Sequence, residues 1–145
     1  MSTTKPVILL AEDDENDVFF MKRALQKASV DFPLHVVKDG QEALDYLSGA
    51  GKFSDRHQHP LPVLILLDLK MPFLNGFDVL AWINTQPSLK SIPVVVLTSS
   101  SEERDRQKAA QFGAKSYFVK PPTPDMLQQA MGLLNSSHEN TTISS

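Results

Sequence analysis

Apolar residues in this chain fall in short, nearly continuous runs at even intervals. Val7–Ala11, Val63–Leu67 and Val94–Leu97 are the clearest. Strands buried on both faces of a parallel sheet read this way, without polar alternation. Leu34–Val37 and Ser116–Val119 are shorter runs of the same kind. Between the runs the spacing is helical. Val18, Met21, Leu25 and Ala28 mark one face of a first helix, with Asp14 as its cap and Glu15 and Asp17 in its first turn. Further helices are predicted over Gln41–Leu47 and over Phe77–Thr85, the latter carrying Val79, Leu80 and Ile83. Ser100-Ser-Glu-Glu103 matches a capping box and opens a fourth helix. Its only apolar residues between Glu102 and Gln111 are Ala109 and Ala110, so it is weakly anchored. Thr123 followed by Pro124 starts a fifth helix through Met126, Leu127, Ala130, Met131 and Leu134.

Strands alternating with helices predict an α/β fold, a (βα)5 doubly wound arrangement with a five-stranded parallel sheet covered on both faces. Right-handed crossovers restrict the topology, and ligands on such sheets bind at the carboxyl ends of the strands. Residues 49–62 form a long irregular loop before the third strand. Residues 1–5 read as an extension, 6–135 as one domain, and 136–145 as a polar tail expected to be disordered.

Composition narrows the function. The chain of 145 residues has 14 basic and 17 acidic side chains, a net charge of −3. With no clustered basic face, direct DNA binding is not expected. There is no cysteine, which excludes disulfides and thiolate chemistry. No apolar run approaches about 18 residues, so no membrane span is expected. The first residues lack the apolar core of a secretion signal, and a cytoplasmic protein is the expectation.

The acidic residues then become informative. Glu12, Asp13 and Asp14 follow the first strand, and Asp68 follows the third. In a parallel sheet both groups reach the same edge. Clustered carboxylates repel unless a cation sits among them, and Mg2+ is suited to such oxygen ligands. Thr98 ends the fourth strand and Lys120 the fifth. A hydroxyl, an ammonium and a metal around one carboxylate suit phosphoryl transfer, with the carboxylate itself as acceptor. Taken singly, each residue also reads as a solvated turn or a structural group. Their joint placement carries the argument. His57 and His59 suggest a metal site only weakly, since no third ligand is evident, and a solvated loop is the reading preferred.

With these residues in hand, the sequence resembles the receiver domains of two-component response regulators. The segments that carry the resemblance are ILLAEDD (8–14), LILLDLKMPFLNG (64–76), VVVLTSS (94–100) and GAKSYFVKP (113–121). The resemblance implies strand order 2-1-3-4-5, with Asp68 as phosphoacceptor. It implies that Asp13 binds Mg2+ directly, that Glu12 holds it through water, and that Lys70 offers a backbone carbonyl. It makes Thr98 and Lys120 the ligands of the phosphoryl group and Tyr117 an aromatic switch, and it implies a cis Lys120–Pro121 bond. Lys70 and Ser100 would flank the path of hydrolytic water. Asp14 falls outside the acidic pair and remains a helix cap.

The implied function is that of a single-domain response regulator. It would be phosphorylated by a sensor histidine kinase, turn over no separate substrate, and signal to a downstream protein or phosphotransfer partner. Pro122 and the loop 49–62 resemble regulators that partner phytochrome-type kinases. Homodimerisation across the fourth helix, fifth strand and fifth helix is also implied. Two alternatives compete. Haloacid-dehalogenase-type phosphatases use a similar aspartate but need a second Asp two residues later, where this chain has Lys70. A degenerate receiver serving as a scaffold would lack site residues that are all present here.

Overall fold

The sheet order is β2-β1-β3-β4-β5, with every pairing parallel. The strands are β1 (Ile8–Ala11), β2 (Leu34–Val37), β3 (Leu64–Leu67), β4 (Val94–Thr98) and β5 (Ser116–Val119). The helices are α1 (Glu15–Lys27), α2 (Gly40–Ser48), α3 (Gly76–Asn84), α4 (Glu103–Gln111) and α5 (Pro124–Ser144). This computed structural model describes the backbone of residues 6–144 and the side chains of residues 6–134. The expected extension at residues 1–5 lies outside the described residues.

Every residue of β1, β3 and β4 is buried. Successive side chains point to opposite faces, so each continuous apolar run feeds two cores. Leu9, Ile65, Leu67 and Val96 pack with Tyr46, Val79 and Ile83 on one face. Ile8, Leu10, Leu66 and Val95 pack with Met21, Leu25, Leu127 and Ala130 on the other.

Local chemistry sets most helix starts. Asp14 accepts from the N–H groups of Asn16 at 2.8 Å and Asp17 at 3.3 Å. Asp39 accepts from Glu42 N–H, which starts α2 at Gly40, one residue before the position predicted. Asn75 and Asp78 form a capping box at α3. The Thr123 hydroxyl accepts from Met126 N–H at 3.2 Å.

Two expectations are corrected. The capping box predicted at Ser100–Glu103 does not form, and Glu102 precedes α4 with no side-chain cap bond. Ser100 is held elsewhere: its carbonyl accepts from Tyr117, and its hydroxyl donates to Asp105 at 2.7 Å. The backbone of α5 runs on to Ser144, with no proline or glycine after Gly132 to stop it, while the side chains from residue 135 lie outside the described residues. The loop 49–62 is not simply solvated. Phe53 is buried, and the Arg56 guanidinium donates to the carbonyls of Tyr46, Leu47 and His59 at 2.7 to 3.0 Å. Those bonds tie the loop to the carboxyl end of α2. His59 packs edge-on against Tyr46 and Phe53, while His57 is exposed.

Candidate functional site

The sheet register assembles the site. Ala11 pairs with Leu67, so the residues after β1 and after β3 emerge side by side. Thr98 pairs with Val119, and Lys120 N–H donates to the Thr98 carbonyl at 2.8 Å. The carboxyl ends of β1, β3, β4 and β5 therefore deliver Glu12 and Asp13, Asp68, Thr98 and Lys120 to one edge.

Carboxylate oxygens of Glu12, Asp13 and Asp68 all lie within 4.8 Å of one another. Among the described residues this is the one cluster of three or more metal-ligating side chains. Glu12 and Asp68 are buried, at 3% and 5% exposure, whereas Asp13 faces solvent. Carboxylates this close are stable together only with positive charge nearby. Lys120 supplies it. Its ammonium donates to Glu12 at 2.6 Å, Asp17 at 2.7 Å and Asp68 at 3.1 Å.

Burial pushes the Glu12 carboxyl up to about 7, and the adjacent Asp68 charge adds to that shift. The Lys120 ammonium opposes it through a short hydrogen bond, but desolvation prevails. Burial alone would lower the Lys120 pKa, yet the bonds from Asp17 and Glu12 raise it above the usual lysine range. A single ammonium cannot neutralise all these acids, and burial raises the Glu12 carboxyl despite it.

Asp68 Oδ1 accepts from the Lys70 N–H at 3.2 Å, while the Lys70 side chain is exposed. Gly76 packs on this turn, where a Cβ would lie 2.5 Å from the Asp68 carbonyl oxygen. Thr98 is fully buried, and its Oγ1 has no hydrogen-bond partner. A buried hydroxyl without a partner is costly and calls for an occupant. Tyr117 is buried, its hydroxyl donates to the Ser100 carbonyl, and Arg106 lies 4.7 Å over its ring. Lys120–Pro121 is cis, as the resemblance implied.

The strand ends bring Glu12, Asp13, Asp68, Thr98 and Lys120 to one edge, with the Lys70 N–H bonded to Asp68, while Tyr117 is held by the Ser100 carbonyl. The structure adds one residue that the sequence did not reveal. Asp17 was read only as a favourable charge in the first turn of α1. Its partner Lys120 lies 103 residues away, so no local pattern could have exposed the contact.

The response regulator receiver domain profile matches residues 8–132. The chain belongs to that family. It is 34% identical to Response regulator Rcp1 of Synechocystis over 143 residues, covering 98% of this chain and 95% of Rcp1. A crystal structure of a phosphorylated cyanobacterial phytochrome response regulator, RcpA, superposes with a TM-score of 0.76 at 35% identity, covering 89% of this chain and 91% of RcpA. The Mn2+-bound form of Rcp1 superposes with a TM-score of 0.73 at 34% identity, covering 90% of each chain. As a receiver, this chain is a phosphorylation-driven signalling protein. Its acidic pocket is of the kind that accepts a divalent cation. Among the described residues, no helix is long and apolar enough to cross a membrane.

Proposed function

We propose that residues 6–135 form a receiver that accepts a phosphoryl group on Asp68 from a sensor histidine kinase. The observation that carries this reading is the surroundings of Asp68. A buried carboxylate is flanked by an ammonium at 3.1 Å and two further acids, and the neighbouring strand ends in Thr98, whose buried hydroxyl has no partner. An Asp68 oxygen attacks phosphorus as the bond to the donor nitrogen breaks, and the proton balance is left to the donor imidazole. Lys120 and Thr98 then bind the oxygens of the transferred group, spreading its charge.

Glu12, Asp13 and Asp68, with the Lys70 carbonyl, would hold Mg2+. The clustered oxygens and the unbalanced negative charge fit a hard divalent cation. When bound, it neutralises charge on the phosphoryl oxygens. Tyr117 is the switch residue in this reading, coupling Thr98 to α4. The kinase is of phytochrome type, a reading supported by the likeness to RcpA. The output goes to a downstream protein or phosphotransfer partner rather than DNA, through the α4-β5-α5 face, where a homodimer would also form. The chain turns over no separate substrate and acts in the cytoplasm.

Incubation with acetyl phosphate and Mg2+ is expected to add one phosphoryl mass, to be blocked by EDTA and to be abolished in Asp68→Asn. Folded wild type that stays unlabelled overturns the reading.

A further inference from the structure

The roles proposed above use every polar side chain at the centre of the site except Asp17. Lys120 has three N–H donors, and three carboxylates fill them: Glu12, Asp17 and Asp68. Two of those acceptors have other work. Glu12 belongs to the cation site, and Asp68 exchanges its free carboxylate for an acyl phosphate. Asp17 has neither task, so it is the acceptor that stays available throughout.

Its own placement is firm. The Asp17 N–H is bonded to the capping Asp14 side chain at 3.3 Å. One turn further along α1, Met21 is buried in the core between helix and sheet. Asp17 thus projects from a capped and packed helical turn, and it reaches an ammonium whose backbone is held by β4. A flexible four-carbon side chain is fixed at both ends.

We infer that Asp17 is a positioning residue, holding the Lys120 ammonium against Asp68 so that it is already aimed when a phosphoryl group arrives. This inference rests on Asp68 as the acceptor. A lysine side chain carries considerable rotamer freedom, and a partner that removes it in advance lowers the barrier to transfer. The position of the acceptor oxygen, more than its charge, is what this role requires. Asn, which keeps one side-chain oxygen at nearly the same place, therefore substitutes for Asp17, and Ala does not.

The test measures the rate of phosphorylation of the full chain by acetyl phosphate in excess Mg2+, with melting temperatures recorded in parallel. Asp17→Ala is expected to slow labelling about tenfold while the protein stays folded. Asp17→Asn is expected to stay within about twofold of wild type, because it retains the hydrogen bond. On a Lys120→Ala background, Asp17→Ala is expected to add nothing, since the two residues act as a unit. A second readout needs no phosphorylation. In 15N-labelled protein, the Lys120 ammonium protons should be protected from exchange and lose that protection in Asp17→Ala. Wild-type labelling by Asp17→Ala, equal slowing with and without Lys120, or unchanged ammonium exchange each overturns the inference. Failure of the Asp68 reading looks different: folded wild type stays unlabelled while the ammonium signal still depends on Asp17.

Discussion

The Tyr117 hydroxyl donates to the Ser100 carbonyl at 2.9 Å, and the Ser100 hydroxyl donates to Asp105 at 2.7 Å. Two bonds through one serine thus link β5 to the first turn of α4. That helix buries only Ala109. Its position depends on these contacts and on Arg106, which also donates to the Tyr117 carbonyl.

Tyr117→Phe leaves the ring and its packing but removes the donor to Ser100. The carbonyl loses a buried partner, which costs about 1–3 kcal/mol. Urea unfolding should show that loss. Amide exchange should quicken across residues 100–106 while the β1 and β3 amides stay protected. An unchanged unfolding midpoint would remove the link between Tyr117 and α4.

Mg2+ should stabilise the fold, because the folded chain alone brings the three carboxylates together. At a hundredfold excess over its dissociation constant the gain is about 2.7 kcal/mol. Asp13→Asn should shrink the rise in melting temperature on adding Mg2+. An equal rise in the variant would take Asp13 out of the cation site.

Glu12 makes stability without metal depend on pH. Its carboxyl ordinarily titrates at 4.5 and is pushed up to about 7 by burial. A raised pKa means the folded state holds the proton more tightly. The contribution is therefore full below about 4.5 and is lost as pH rises through about 7. Wild type should lose stability between about pH 4.5 and 7 relative to Glu12→Gln, which cannot titrate. His35 acts in the opposite sense, because burial and the nearby His59 lower its pKa. Its contribution is present above 6.5 and lost as pH falls. The difference between wild type and Glu12→Gln cancels that second slope. The same proton competes with the cation, so Mg2+ should bind more weakly at pH 6 than at pH 8.

Gly76→Ala tests how tightly the turn after Asp68 is packed. The new Cβ would lie 2.5 Å from the Asp68 carbonyl oxygen and 2.7 Å from the Leu69 Cα, and backbone atoms cannot swing aside. The cost should be about 1–3 kcal/mol, with slower labelling of Asp68. Gly132→Ala is the control. A Cβ there meets nothing within 4 Å in α5, so it should be neutral or stabilise by up to about 1 kcal/mol. Equal effects of the two substitutions would contradict the packing account.

Much of this protein was legible before the fold. Continuous apolar runs such as Leu64–Leu67 report burial on both faces, and a helix cap such as Asp14 acts within a few residues. Such signals are local, so they survive in the sequence. They placed all five strands and four of the five helix starts to within a residue, and the family segments marked Asp68, Thr98 and Lys120. The signal failed where a residue had a distant competitor. Ser100 carries the pattern of a cap, but its hydroxyl turns to Asp105 and the Glu102 N–H, its carbonyl is held by Tyr117, 17 residues on, and the box does not form. His59 and Arg56 looked like loop residues until α2 and β2 came alongside.

The sequence by itself determined that β1, β3, β4 and β5 end in acids, a hydroxyl and an ammonium, because side-chain chemistry and strand periodicity need only near neighbours. The tertiary structure alone decided that Asp17 shares Lys120 with Glu12 and Asp68. That contact depends on strand register and on the lateral position of α1, which are set by packing across about 100 residues of chain. Only the assembled core could likewise bury Glu12 deeply enough to shift its proton.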